Sequence, residues 1–287
     1  MVTFIAILFA GALFAGFIGS LTGLGGGVII VPLLTIGFGV DIRYAIGTSL
    51  ISVIATSSGA ASAYIKEGIL NIRVGMFLEI ATTSGAIIGA AIAFFAPTHA
   101  IAVIFGFVLL YSAIVSFKKR KGDTMAENAS GKRSGRMIEL LKAKGTYPTA
   151  IGLKNYTLQH LGGGYTVMTF AGILSGLLGI GSGALKVIAM DSIMKIPFKV
   201  STSTSNFMIG VTAAASAGIY LNRGYIDPVL SMPVMVGVLI GSLVGAKFLI
   251  KSQTKLIRLV FAIVITILAF EMIYNGSSSY LGKYYPV

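Results

Sequence analysis

Residues 19–32 read GSLTGLGGGVIIVP, a glycine cluster at the centre of an apolar run with no charged residue between Met1 and Val40. This run is far longer than the roughly 20 residues that a helix needs to cross a membrane core. We therefore predict two shorter legs, about 3–21 and 27–38, that either fold back as a hairpin or cross with an unwound middle. Backbone groups freed at membrane depth must be satisfied by protein or a water-lined cavity, so the break is a candidate binding site.

The glycine cluster returns 156 positions later, where residues 175–188 read SGLLGIGSGALKVI. At this constant offset, without a gap, identical residues recur far beyond the two clusters. They include Gly23, Gly25, Gly27, Thr48, Ser49, Gly85 and Gly89, which meet Gly179, Gly181, Gly183, Thr204, Ser205, Gly241 and Gly245. Two glycine clusters, a Thr-Ser pair and a paired small-xxx-small motif in one register indicate a duplication.

The composition places the chain in a membrane. Of 287 residues, 55% are hydrophobic and 11% are charged, against roughly 25% charged residues in a soluble domain. Outside the broken runs, we predict helices at about 44–65, 73–95, 98–118, 199–221, 228–248 and 256–274. The sequence thus predicts an all-α polytopic protein of the cell membrane, built from two repeats that each combine a broken, Gly-rich helix with about three transmembrane helices.

The boundaries and orientation of the repeats follow from a change of composition and from the loop charges. We predict a first repeat at 1–117, a basic cytoplasmic linker at 118–164 and a second repeat at 165–287. Lysine and arginine concentrate on the cytoplasmic side. If each broken segment returns to its starting side, most of the 22 lysines and arginines lie inside, which favours inverted repeats.

Within the linker, residues 133–144 are read either as a short amphipathic helix or as a solvated connector.

Several function classes are disfavoured. The net charge of +13 comes from short loops that act as topology signals, so nucleic acid is not an expected partner. The chain has no cysteine, and His99 and His160 are lone histidines, so neither a disulfide nor a metal site is expected. Neither glycine cluster is followed by the Gly-Lys-Ser/Thr of a phosphate loop. With no nucleophile–base cluster in the membrane runs, we expect no enzyme activity and no cofactor.

The doubled motif resembles the TauE/SafE sulfite-exporter family. The resemblance rests on GxxxGLGGGxxxxP at 19–32, on its second copy at 172–183, and on the segments AIGTS at 45–49 and STSNF at 203–207. It implies a polytopic transporter that moves sulfite, sulfonates or related small anions. The second half departs from the pattern, because Ser182 replaces the middle glycine, and Lys186 and Ile188 stand where the first half has Ile30 and Pro32.

The candidate substrate site is built from the helix breaks. A leg that begins after a glycine break points unpaired N–H groups and about half a positive charge inward, which suits an oxyanion. Hydroxyl and amide donors recur at matching places in the repeat. The predicted substrate-binding residues are Gly25, Gly26, Gly27, Thr48, Ser49, Gly181, Ser182, Gly183, Lys186, Thr204, Ser205 and Asn206. The alternative for each hydroxyl is a structural hydrogen bond to its own helix or a neighbour.

Lys186 is the sharpest single candidate. A lysine at mid-membrane costs about 3 kcal/mol on insertion scales, so it is usually paired or functional. We hypothesise that Lys186 supplies positive charge to the substrate anion, with Asp191 as its possible partner. The alternatives are a structural pair with Asp191 or Glu79, or a side chain that reaches the membrane surface.

Glu79 and Asp191 are the candidates for coupling transport to protons. A buried carboxylate can take up a proton. Glu79 and Glu271, however, both lie within about two turns of predicted helix ends, which favours an interfacial placement.

The leading functional prediction is a secondary, gradient-driven transporter of small anions in the lipid bilayer. The alternatives are a channel-like passive anion pore, a permease for a small carboxylate, and, less favoured, a membrane enzyme or a structural subunit of a larger complex. The sequence leaves a homo-oligomer open.

Overall fold

The computed structural model describes residues 2–22, 25–117, 144–149, 152–251, 262–263 and 265–277. In the first half, two legs on either side of the glycine cluster precede three long helices. The elements are α1 (Val2–Thr22), α2 (Gly27–Pro32), a π-helical turn (Leu33–Gly37), α3 (Ile42–Lys66), α4 (Ile72–Ala93) and α5 (Thr98–Phe117). The predicted break between two helical legs is therefore present.

The second half repeats this order after a short β-hairpin. Its elements are β1 (Lys144–Thr149), β2 (Gly152–Thr157), α6 (Leu161–Leu178), α7 (Gly183–Ile188), a second π-helical turn (Ala189–Ile193), α8 (Phe198–Asn222) and α9 (Pro228–Lys251). Residues 265–277 are also helical. The starts of α7, the second π-helical turn, α8 and α9 each follow their first-half counterparts by 156 residues. The register of the sequence repeat is thus also the register of the helices.

Five helices of the described part are long and apolar enough to cross a membrane, namely α1, α3, α4, α6 and α9. This confirms a polytopic, multi-pass membrane protein. The predicted helix at 256–274 lies partly outside the described residues. The predicted amphipathic helix at 133–144 lies outside them except for Lys144, which begins β1.

Each broken run folds back on itself. The ring of Phe4, near the start of α1, packs edge-on against Phe38, just after the second leg, with centroids 4.9 Å apart. In the second half, the Gln159 N–H before α6 donates to Met194 O at 3.0 Å, and Met194 also lies beside Gly164 at the start of α6. The second leg therefore ends where the first began, and of the two geometries left open by the sequence, the hairpin is observed.

The two equivalent helices α3 and α8 cross antiparallel at the centre. Tyr64, near the end of α3, lies 3.3 Å from the Asn206 amide in the first part of α8. At the other end, the rings of Tyr44 and Tyr225 meet at 5.3 Å, beside the start of α3 and just beyond the end of α8. Residues that correspond in the repeat thus lie on helices that run in opposite directions.

Glycines let the outer helices pack closely in two parallel pairs. In α4, Gly85 and Gly89 lie against the carbonyls of Thr169 and Ile173 of α6. The equivalent glycines of α9, Gly241 and Gly245, lie against the carbonyls of Leu13 and Phe17 of α1. The predicted small-xxx-small face is confirmed, and each pair joins one helix from each half.

The β-hairpin was not predicted. β1 and β2 are antiparallel, with Lys144 opposite Thr157, and the hairpin lies over the α3–α4 loop, where Asn71 Nδ2 donates to the Tyr156 hydroxyl at 2.6 Å. Burial raises the pKa of Tyr156, and the Asn71 hydrogen bond offsets part of this rise. The hairpin was missed because the linker was interpreted from its polar composition, whereas Tyr156 is held by contacts with a distant loop.

Candidate functional site

The breaks depend on left-handed backbone conformations. Gly25 has φ +76°, and Gly179 and Gly181 have φ +66° and +69°. A residue with a Cβ pays an energetic penalty at such angles, and glycine does not. Ser182 adopts φ +46°, although the equivalent Gly26 has φ −65°. The second break therefore keeps a side chain at a position where its backbone favours glycine.

The two breaks meet at the crossing of α3 and α8. Gly25 and Gly181 both lie against Val53 of α3 and Ile209 of α8, which are themselves equivalent in the repeat. A Cβ on Gly27 would approach within 2.9 Å of the Gly179 carbonyl oxygen. The structure thus brings the predicted glycines together, with their backbones in close contact.

Two predicted donors hydrogen-bond to the second break. Ser49 Oγ of α3 donates to Gly179 O at 2.7 Å, and Ser205 Oγ of α8 donates to Gly183 O at 3.2 Å. The Gly179 carbonyl follows the end of α6 and needs such a partner at membrane depth, whereas Gly183 is the first residue of α7. In this conformation the two hydroxyls stabilise the second break.

Other predicted donors hold neighbouring segments. Thr48 and Ser231 hydroxyls lie 3.3 Å apart, and Thr204 Oγ1 accepts from the Asn71 N–H at 3.2 Å. Asn206 Nδ2 donates to Ser20 O at 3.0 Å. These contacts are structural hydrogen bonds to neighbouring segments, which was the alternative to substrate binding. The substrate roles of Thr48, Thr204 and Asn206 stay predictions.

Three buried side-chain oxygens near the site make no hydrogen bond with other described residues. Within the described part of the chain, Ser182 Oγ, Thr202 Oγ1 and Asn206 Oδ1 have no hydrogen-bond partner. A cavity of about 10 Å³ lies beside Ser182 and is also lined by Ser112 and several aliphatic side chains, which is room for about one water molecule. Binding of an oxyanion in this cavity would therefore require the elements around Ser182 to move apart.

Lys186 lies on α7 and is completely buried. Its Nζ donates to Thr212 Oγ1 of α8 at 2.5 Å and lies 3.7 Å from Glu79 Oε2 of α4. Thr212 donates in turn to Glu79 Oε1, which also accepts from Thr83 Oγ1 at 3.0 Å. Thr212 therefore bridges a buried ion pair between the two halves.

The structure decides which carboxylate pairs with Lys186. Of the structural pairs that the sequence left open, the pair with Glu79 is observed. Asp191 lies in the second π-helical turn and is half-buried. Glu79 lies about two turns from the start of α4, as predicted, and only 4% of its surface is exposed. Its interfacial depth in the membrane stays a prediction. Packing of α6 and α8 over α4 buries Glu79, and Lys186 and the two threonines compensate the charge. Glu271 is exposed on the helix at 265–277.

Thr212 is a residue of the candidate site that sequence reasoning missed. It matches Thr56 in the repeat, but it was treated as evidence of duplication and not as a polar group in the site. The available signal was its position on α8, two turns after the Thr204-Ser205-Asn206 segment. Its role follows only from the packing of α7 and α4 against α8.

Comparisons with known proteins agree along almost the whole chain. The model of the family described as sulfite exporter TauE/SafE matches residues 8–272. The chain is 29% identical over 278 residues to the probable membrane transporter protein YunE of Bacillus subtilis, covering 94% of this chain and 97% of that protein. It is 29% identical over 245 residues to YdhB of the same organism, which has the same description, covering 85% and 88%.

A more distant relative, the probable membrane transporter protein ORF9 of Sinorhizobium sp, is 23% identical over 270 residues, with 94% and 92% covered. No solved structure matches the chain.

Proposed function

Because the chain belongs to the sulfite exporter TauE/SafE family, we propose that this membrane transporter is a gradient-driven carrier of small anions, with sulfite, a sulfonate or a related sulfur oxyanion as its substrate. Its relatives are described as probable membrane transporter proteins over nearly their full lengths. The family description supports a sulfur oxyanion, and the residues around the breaks support an anion more generally.

The buried cation is the observation that carries this proposal. Lys186 follows the second break within one turn of α7, and its partner Thr212 lies one turn along α8 from Ile209, which contacts both breaks. One turn is about 5.4 Å. A positive charge thus lies close to the place where the two breaks meet, and buried intramembrane charges commonly mark substrate pathways.

Backbone dipoles reinforce this charge. Two apolar helical segments, Gly27–Gly37 and the second leg at 183–193, begin at the breaks. Their first N–H groups and the positive ends of their dipoles favour an anion. The substrate is proposed to use these N–H groups, Lys186 and Ser182, and to gain the hydroxyls of Ser49 and Ser205 when the breaks separate.

Inverted repeats give this site a route to alternating access. The antiparallel crossing of α3 and α8 and the folded-back broken runs support repeats of opposite orientation. In transporters built this way, one repeat or bundle rocks against the other around a central site. The close contact of the breaks also favours a carrier over a continuous passive pore.

The proposal is tested with purified protein in liposomes. Counterflow of radiolabelled sulfite, methanesulfonate and acetate is measured under symmetric conditions. A carrier for sulfur oxyanions is expected to show trans-stimulated uptake of sulfite or methanesulfonate but not acetate. Trans-stimulation by acetate alone would indicate a carboxylate permease, and uptake without trans-stimulation would indicate a pore.

Replacing Lys186 tests the role of the cation. Lys186→Gln is expected to weaken binding of the transported anion at least tenfold, measured by ligand-induced thermal stabilisation, because about 1.4 kcal/mol of charge interaction corresponds to a factor of ten. Lys199→Gln, at an exposed lysine of α8, is the matched control. The double variant Lys186→Gln/Glu79→Gln leaves neither charge unpaired. Unchanged affinity in this folded double variant would contradict the proposed role.

A further inference from the structure

The ion pair occurs in only one of the two repeats. In the repeat register, Lys186, Thr212 and Glu79 correspond to Ile30, Thr56 and Met235. The threonine is kept, whereas the two charged residues are replaced by apolar ones. The first broken run and its neighbours nevertheless form the same elements in the same order, so this architecture does not require charges at these positions.

Stability is therefore a weak explanation for the pair. Replacing a buried ion pair by apolar residues of similar volume is often neutral or stabilising, because desolvation costs as much as the attraction returns. The chain itself provides an apolar version of the position in its other half. A charged version that the fold does not need indicates a function.

The pair is incompletely satisfied. Lys186 Nζ and Glu79 Oε2 are 3.7 Å apart, longer than the 2.7–2.9 Å of a strong charge-assisted hydrogen bond. Among the described residues, Glu79 Oε2 has no hydrogen-bond partner, although it is buried. This oxygen can accept a proton without losing a hydrogen bond.

Few other charges face Glu79. Helix α6, which packs along α4, contains no charged residue, and α7 contains only Lys186. On α8 the charged residue is Lys199, in the first turn, while Thr212 faces the carboxylate. On α4 itself the other charge is Arg73, in the first turn. Within these elements, protonation of Glu79 therefore changes the local charge from neutral to positive.

We propose that Glu79 is the proton-binding site that couples anion transport to a proton gradient. This inference rests on the proposed role of Lys186 as the anion-binding cation. A proton from water adds to Glu79 Oε2, the carboxylate becomes a neutral acid, and Lys186 loses its counter-ion. The ammonium group then binds the substrate anion in place of the carboxylate, so one proton and one anion move together. When the anion leaves, Glu79 releases the proton and the ion pair forms again.

The position of the pair connects this exchange to conformation. Glu79 belongs to the first half and Lys186 and Thr212 to the second. Protonation removes the charge interaction that links α4 to α7, and release of both ligands restores it. The charge of Lys186 is therefore compensated when neither ligand is bound, by Glu79, and when both are bound, by the anion. It is left unpaired when only the proton is bound, which disfavours movement of the half-loaded carrier, as coupled transport requires.

The test compares exchange with gradient-driven uptake in the same liposomes. For the wild-type protein we expect sulfite counterflow, accumulation of sulfite driven by an inward proton gradient, and faster acidification of the lumen when sulfite is added. For Glu79→Gln we expect counterflow within about threefold of wild type, but at least tenfold less gradient-driven accumulation and protein-dependent acidification. Glu271→Gln, at an exposed carboxyl, is the matched control and is expected to resemble wild type.

The outcomes separate this inference from the proposed function. Absence of anion binding and counterflow in the wild-type protein would contradict the proposed function itself. Wild-type counterflow without sulfite-dependent proton movement, which needs no variant to detect, would overturn only the coupling role. So would undiminished proton-driven accumulation by Glu79→Gln.

A second pair of variants guards against misfolding. Lys186→Ile with Glu79→Met copies the residues of the first half and is expected to unfold at an unchanged or higher temperature while losing transport at least tenfold. Thr212→Val is expected to reduce proton-driven accumulation more than counterflow. Thr56→Val, at the equivalent position of the other repeat, is expected to leave both unchanged. Full gradient-driven transport by the double variant would show that the charges have no function in coupling.

Discussion

Several buried hydroxyl groups in this protein donate hydrogen bonds to backbone carbonyl groups. Ser49 and Ser205 are equivalent in the repeat, and each donates to a carbonyl at the second break. Tyr64 and Tyr220 are equivalent too, and their hydroxyls donate to Ser20 O and Gly176 O at 2.8 and 3.3 Å. Side chains of the central helices thus satisfy carbonyl groups on the first legs and breaks of the broken runs, which neighbouring helices must do within a membrane.

Ser49→Ala tests this role at the residue scale. The substitution leaves the buried Gly179 carbonyl without its donor, so we expect a loss of about 1–3 kcal/mol in the free energy of unfolding. The measurement is denaturant unfolding in detergent micelles. Ser58→Ala is the control, since Ser58 is exposed and donates to Ile54 O of its own helix at 2.9 Å. Equal stabilities of the two variants would show that the hydrogen bond from Ser49 to Gly179 O does not stabilise the second break.

Glycine spacing determines how the helices pair. α4 packs on α6 and α9 on α1 through glycines four residues apart, so each close pair joins one helix from each half. Gly89 illustrates the closeness, because a Cβ there would lie within 3.0 Å of three backbone atoms of Ile173. Close backbone approach replaces the hydrophobic driving force, which lipid removes.

At the element scale, Gly89→Ala is expected to push α4 away from α6. Overpacking against a backbone costs about 1–3 kcal/mol, to be seen as a lower unfolding midpoint. Gly218→Ala on α8 is the control, because nothing lies within 4 Å of the added methyl group and alanine favours helix by about 1 kcal/mol over glycine. A destabilisation in the control but not in Gly89→Ala would argue against the packing explanation.

The whole molecule is organised around the crossing of α3 and α8. Both breaks lie there, and these two helices carry most of the buried polar residues of the described chain. These helices are equivalent in the repeat and antiparallel. If both cross the bilayer, the ends of the two helices lie on opposite sides, as inverted repeats require.

This topology is tested at equivalent positions of a chain that has no native cysteine. Glu67 and Arg223 are both exposed and directly follow α3 and α8. We expect a membrane-impermeant thiol reagent to label Arg223→Cys in intact cells and Glu67→Cys only in inverted vesicles. Labelling of both from one side would indicate parallel repeats.

The sequence by itself determined the class of protein, the duplication and the position of the breaks. Apolar length, glycine spacing and register are local properties of a chain, and membrane depth allows few structures for such a chain. The bounds of α3, α4, α8 and α9 followed from these properties within about three residues.

Only the tertiary structure decided which groups meet. Glu79 and Lys186 are distant in sequence, and their pairing depends on how α4, α7 and α8 pack. The contact of the hairpin with Asn71 and the hydrogen bond from Ser49 to the second break also join segments that are distant in sequence. The energy of a buried charge depends on its neighbours in space. Helical pattern alone therefore could not show that Glu79 is buried against Lys186.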